Sequence, residues 1–145
     1  MKAILFVLLI LPMASFAQRI NVQGKIEQTV RGAGYEAGLG FEFRSRVAAG
    51  VFYQTRSFRQ ADELALESDT YYGFYTHLPI VKDRRLMVGA VLRGGLVNKN
   101  FFVVTPALET RFEVTEKFGV ITGLAYRQGY PAGTLALAYS LPLKK

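Results

Sequence analysis

Apolar and polar residues alternate along most of this chain with a period of two, the spacing of side chains on opposite faces of a β-strand. Ile20, Val22 and Ile26 share one face, with Asn21, Gln23, Lys25 and Glu27 on the other. Tyr35, Ala37, Leu39, Phe41 and Phe43 oppose Glu36, Gly38, Gly40, Glu42 and Arg44. Val47, Ala49, Val51 and Tyr53 stand against Ala48, Gly50, Phe52, Gln54 and Arg56. Tyr72, Phe74, Thr76 and Leu78 alternate with Tyr71, Gly73, Tyr75 and His77. Leu86, Val88, Ala90 and Leu92 oppose Met87, Gly89, Val91, Arg93 and Gly95. A sixth stretch sets Phe102, Val104, Leu108, Phe112 and Val114 against Thr105, Glu109, Arg111 and Glu113. Val120, Thr122, Leu124 and Tyr126 then face away from Gly119, Gly123, Ala125 and Arg127. The last stretch puts Leu135, Leu137, Tyr139, Leu141 and Leu143 against Thr134, Ala136, Ala138 and Ser140.

About eight segments of roughly 9 to 11 residues result, the length a tilted strand needs to cross hydrocarbon. Lipid offers no partner to an unpaired strand edge, so such strands must close on themselves. The pattern predicts an all-β chain folded as an eight-stranded antiparallel up-and-down transmembrane β-barrel. If the first strand starts at the periplasmic end, Ser45-Arg46, Val81 to Arg85 and Thr115 to Phe118 are inner turns. The opposite end then holds one long polar loop, Ser57 to Ser68, and shorter ones near Gly32, Asn98 to Asn100 and Gly129 to Gly133. Short inner turns and longer outer loops are the asymmetry of outer-membrane barrels.

Aromatic residues sort by depth on the apolar face. Tyr35, Tyr53, Tyr72, Phe102 and Tyr126 fall at the outer strand ends, while Phe41, Phe43, Phe112 and Tyr139 fall towards the inner ends. Two girdles suit a wall with an interface at each end. The polar face carries Lys25, Glu27, Glu36, Glu42, Arg44, Arg56, Arg93, Glu109, Arg111, Glu113 and Arg127, interspersed with glycines. An eight-stranded barrel is just wide enough for side chains to fill it. Charges of both signs there predict a plugged, ion-paired lumen rather than a conducting pore. The period by itself leaves the inverse arrangement open: a soluble periplasmic or secreted β-barrel with the apolar face inward, binding an apolar ligand.

The N-terminus reads as an export signal. Lys2 precedes the apolar run Ala3 to Met13, and Ala14-Ser15-Phe16-Ala17 supplies the small residues a signal peptidase reads. Residues 1–17 are therefore expected to be a signal peptide and 18–145 a single barrel domain, with Gln18 as the mature start. The net charge of +7 becomes +6 when Lys2 leaves with the leader. For an exported chain that charge points to anionic lipid or lipopolysaccharide and away from nucleic acid. The absence of cysteine excludes a disulfide framework and a thiolate metal site.

With these features the chain resembles the small eight-stranded outer-membrane β-barrels of Gram-negative bacteria, of the OmpX and OmpA-transmembrane-domain type, and the outer-membrane β-barrel domain proteins of Bacteroidetes. The resemblance covers Gln18 to Lys145 and rests on pattern. The segment Tyr72-Gly73-Phe74-Tyr75-Thr76-His77-Leu78-Pro79-Ile80, followed by a basic turn and Val88-Gly89-Ala90, looks like a strand-turn-strand of the Bacteroidetes group. It implies an outer-membrane location and assembly by the barrel-insertion machinery; the chain itself is expected to be a monomer. Two features depart from the pattern. The chain ends Leu141-Pro142-Leu143-Lys144-Lys145 without the usual terminal aromatic, and Pro106 lies inside the sixth segment. Either Phe101 to Val104 stand clear of the membrane span or a bulge forms at Pro106. Pro79 and Pro142 are expected near strand ends.

Candidate chemistry is sparse. Gly32-Ala33-Gly34-Tyr35-Glu36-Ala37 fits G-x-G-x-x-A, but a strand follows it where a dinucleotide site needs a helix, so it reads as an outer loop. His77 is the one histidine. Some eight-stranded lipid A-modifying enzymes pair a histidine with a serine, yet Ser68 and Asp69 lie more than about 25 Å away along an extended strand. One histidine without cysteine does not make a transition-metal site. The stretch Arg59 to Asp69 is acidic and reads as a solvated outer loop; the inner end is basic, with Arg46, Lys82, Arg84, Arg85, Lys117, Lys144 and Lys145. The expectation is a structural or surface-interaction barrel with no catalytic residue, cofactor or metal, and not a general porin. A third reading, an outer-leaflet lipid A-modifying enzyme, requires His77 to act.

Overall fold

The computed structural model describes residues 17–59, 66–127 and 129–143. Residues 1–16 of the expected signal peptide, the tip of the acidic loop, Gln128 and the last two lysines lie outside the described residues. Eight strands follow in order: β1 (Arg19–Thr29), β2 (Gly32–Glu42), β3 (Ala48–Arg59), β4 (Leu66–Lys82), β5 (Leu86–Val97), β6 (Phe101–Glu113), β7 (Phe118–Arg127) and β8 (Tyr130–Pro142). Each is antiparallel to its sequence neighbours, and β8 pairs with β1 from Arg19↔Pro142 to Thr29↔Ala132, closing an eight-stranded barrel. Gln18 N–H donates to the carbonyl of Glu42, and the Gln18 carbonyl accepts from Leu143 N–H, both at 2.8 Å.

Closure decides which face is inside. In β1, Asn21, Gln23, Lys25, Glu27 and Thr29 are buried, while Val22 and Ile26 are exposed. The same holds around the ring: Leu124 is 69% exposed, Leu137 66% and Phe102 70%, whereas Arg93 and Arg127 are 1% exposed. A belt of apolar side chains thus covers the outside, an area far beyond the scattered apolar residues of a soluble surface. The inverse arrangement, a soluble barrel with an apolar interior, has its faces the wrong way round.

Several boundaries differ from the sequence expectation. The long outer loop is shorter than Ser57 to Ser68, because the β3–β4 ladder continues through Ser57↔Ser68 to Arg59↔Leu66. Strand β4 likewise runs past Pro79 to Lys82. The imide lacks an N–H for the ladder, and the register with β5 shifts there: Pro79 pairs with Gly89 and Val81 with Val88, leaving Ile80 as an extra residue. Both Ile80 and Val81 consequently face outward.

Pro106 has a different consequence. β6 pairs with β5 without a register shift, from Val97↔Phe101 to Leu86↔Phe112, but with β7 only from Ala107↔Ala125 to Glu113↔Gly119. Glu113 N–H donates to the Arg85 carbonyl at 2.8 Å, so odd-numbered residues of β6 bond towards β5 and even-numbered ones towards β7. Pro106 is the next even position above Leu108↔Leu124 and has no N–H to give Tyr126. The seam opens at that point. Of the two arrangements the sequence allowed, Phe101 to Val104 run clear of β7 and no bulge forms.

Candidate functional site

The inward side chains form three storeys. In the middle one, Lys25 from β1, Glu36 from β2, Arg93 from β5 and Glu109 from β6 meet across the axis. Glu109 lies 2.5 Å from both Lys25 Nζ and Arg93 Nη2, and Glu36 lies 3.7 Å from Lys25 and 3.8 Å from Arg93. Two cations and two anions alternate around a ring, all nearly solvent-free. A buried charge is tolerated only when paired this way.

The inner storey is built on Glu42. Its carboxylate accepts from Asn21 Nδ2 at 3.1 Å and from Arg46 Nη1 at 2.8 Å, with Arg111 Nη1 3.5 Å away. Arg111 Nη2 donates to Ser140 Oγ, which donates to Asn21 Oδ1, each at 2.6 Å. Glu113 sits at the inner mouth rather than in the lumen, 3.2 Å from Arg46 and 3.6 Å from Arg19. Arg44 must be corrected. It was expected on the lumen face, but β2 ends at Glu42 and Arg44 is exposed on the turn. In that turn Phe43 N–H bonds to the Val47 carbonyl and Arg46 takes a φ of 64°, so strand parity no longer applies beyond Glu42. Arg46, expected on the basic rim, folds back to supply the cation instead.

In the outer storey Arg56 Nη2 donates to Thr29 Oγ1 at 2.6 Å. Arg127 donates to Gln54 Oε1, lies 3.6 Å from Glu27 and stacks 4.3 Å over the Tyr71 ring. Beside it is an apolar cluster that the sequence reading did not separate out: Phe52, Tyr71, Tyr75, Val91 and Val97 are buried together, with Phe52 and Tyr71 edge-on at 4.7 Å. The signal was present, since these residues alternate in phase with the charged positions.

Glycines make the room. A Cβ at Gly40 would stand 2.1 Å from Tyr75 Oη, and one at Gly89 would stand 2.3 Å from His77 Nε2. His77 therefore lies inside, packed onto β5, on the wall of a cavity of about 30 Å³ shared with Lys25, Glu109 and Arg111. That is space for a water or two. Ser68 and Asp69 are at the other end of β4, where Ser68 pairs with Ser57 and Asp69 with Arg56, so they form no constellation with His77. Among the described residues no three His, Cys, Asp or Glu side chains are grouped to hold a metal. The lumen is a packed core. Gly32 to Ala37, expected as an outer loop, are instead the beginning of β2, paired on both sides, and no helix follows them as a phosphate site would need.

Outside, the outer-end aromatics Tyr35, Tyr53, Phe102 and Tyr126 are exposed and Tyr72 half-buried, each on the lipid-type face. At the inner end Phe112 is exposed, Phe41, Phe43 and Tyr139 are half-buried, and Tyr139 packs against Phe118 at 4.8 Å. The inner rim exposes Arg44, Lys82, Arg84, Arg85 and Lys117.

No protein-family model matches the chain, and no curated protein sequence does. Solved structures do match. A de novo designed transmembrane β-barrel superposes with a TM-score of 0.71 at 9% identity, over 86% of this chain and 97% of that one. The Yersinia pestis outer membrane protein Ail, solved in a phospholipid bilayer nanodisc, gives 0.60 at 10% identity over 86% and 99%. The N-terminal β-barrel domain of Pseudomonas aeruginosa OprF gives 0.56 at 10% identity over 86% and 98%. At such identities the likeness is one of fold, and that fold is the transmembrane β-barrel.

Proposed function

We propose that this chain is an exported, monomeric outer-membrane β-barrel of a Gram-negative envelope, with a structural or surface-interaction role and no catalysis. The observation that carries this reading is the sidedness of the closed wall, apolar outside and ion-paired inside. A barrel so filled has no passage for solutes, which leaves its lipid belt and its two rims as the working surfaces. Residues 1–17 serve as the cleaved signal, lipopolysaccharide and phospholipid surround the belt, and the barrel-insertion machinery assembles it. The exposed basic residues of the inner rim suit inner-leaflet phosphates. The designed barrel, Ail and OprF support the membrane setting through their shared fold.

The test is gel mobility of the mature protein, boiled and unboiled, from a carbonate-washed outer-membrane fraction. Retention in that fraction with a heat-dependent mobility shift is expected. A protein released by carbonate and migrating identically in both states would end this reading.

A further inference from the structure

The outer surface carries a groove of about 550 Å³ across β6, β7, β8 and β1, within the range of small-molecule sites, roughly 300–1,000 Å³. One row of outward residues crosses it perpendicular to the strands: Leu108 pairs with Leu124, Leu124 with Gly133, and Gly133 with Gln28. Gly133 makes the dip. A Cβ there would meet nothing within 4 Å, so barrel packing does not require a glycine at this position. The neighbouring row contains Thr110 paired with Thr122. Because strands of a membrane barrel are tilted by about 35–45°, this row of partners climbs the wall diagonally. Its β6 end lies part-way down the strand, and its β1 end, Gln28, is the last outward residue of β1. Gln28 Nε2 donates to the Thr29 carbonyl at 3.0 Å, which leaves Oε1 as an acceptor at the outer rim. The groove is continuous with the apolar belt, so lipid is the occupant that the proposed membrane setting supplies.

We infer that this groove holds one acyl chain of an outer-leaflet lipid, running from Gln28 past Gly133 towards Thr122. We further infer that it prefers a chain hydroxylated close to its head end, with Gln28 Oε1 accepting from that hydroxyl. The apolar walls at Leu108 and Leu124 flank the chain, and the glycine lets it approach the backbone. An unsubstituted chain fits the same space but offers the Gln28 oxygen no donor. The inference rests on the proposed membrane location, and the experiment separates the two.

The protein is reconstituted in nanodiscs containing equal amounts of two phosphatidylcholines that differ only in a 3-hydroxyl on one tetradecanoyl chain. Lipid retained after mild detergent extraction is counted by native mass spectrometry. The wild type is expected to retain the hydroxylated lipid about fivefold over the other, the ratio one net hydrogen bond supplies. Gln28→Leu is expected to hold both equally, and Gly133→Leu, which fills the dip, to hold neither. Thr122→Val is the control and is expected to keep the preference. Equal retention of both lipids by the wild type would overturn the preference, and undiminished retention by Gly133→Leu would overturn the site. If instead no variant inserts or shows heat-dependent mobility, the membrane reading itself has failed.

Discussion

Glu109 is the side chain on which the middle storey turns, and Glu109→Gln tests the ion-paired lumen. Its carboxylate touches two cations at 2.5 Å, and at an effective dielectric of about 20 each contact carries roughly 7 kcal/mol of attraction. Desolvation of the four charges offsets most of this. The amide keeps the shape and removes the charge. Lys25 and Arg93 then share one anion, Glu36, at 3.7 and 3.8 Å, and the ring goes from neutral to one net positive charge. Breaking a buried pair from one side costs about 3–5 kcal/mol, a large part of a typical protein's stability. Lys25→Met in the same background restores neutrality, because Arg93 and Glu36 remain as a pair. The double variant should therefore fall short of the summed single effects by about 1–3 kcal/mol. The chain contains no tryptophan, so unfolding by urea in lipid vesicles is followed by far-UV circular dichroism and by the folded-band mobility shift. A Glu109→Gln midpoint within about 0.5 kcal/mol of wild type, or strictly additive singles, would refute the argument that these charges are mutually dependent.

Three further outcomes are expected. Gly40→Ala drives a Cβ into the Tyr75 hydroxyl and should destabilise by about 1–3 kcal/mol, with Tyr75→Phe recovering part of the loss; equilibrium urea unfolding of the four proteins checks it. Pro106→Val supplies the missing N–H towards Tyr126, so by NMR the amide it introduces should exchange slowly and the amide of Tyr126 should exchange more slowly than in wild type; unchanged exchange at Tyr126 would show that something other than the imide opens the seam. His77→Ala should leave the acyl-chain composition of lipid A extracted from expressing cells identical to wild type by mass spectrometry; an altered composition would restore the enzymatic reading.

Most of the candidate site was legible before the fold was known, because a two-residue period needs no tertiary information. Within its own strand Lys25 shares a parity with Asn21, Glu36 and Glu42 with Gly40, and Arg93 with Gly89, and the structure puts them, with Glu109, on one side of one wall. Parity fails where the backbone leaves the strand. Arg44 and Arg46 differ by two residues in a turn, and only the left-handed conformation at Arg46 makes the second the partner of Glu42. The bulge after Pro79 is another such place, since one unpaired residue turns Val81 outward against its alternation. Phe52, Tyr71 and Tyr75 were visible in phase with the charges, yet nothing local says that they gather on one side of the lumen. That follows from the register of β3, β4 and β5.

By itself, then, the amino-acid order determined the number of strands, their approximate limits and the division of their side chains into two sets. Each of those properties comes from interactions between residues a few positions apart. Which set faces lipid, which cations meet which carboxylates and where the wall opens beside Pro106 were decided by tertiary structure alone. An alternating strand is symmetric under exchange of its faces, and only ring closure, with β8 paired to β1, breaks that symmetry. The charged set is turned inward, where residues far apart in sequence, such as Lys25 and Glu109, become partners.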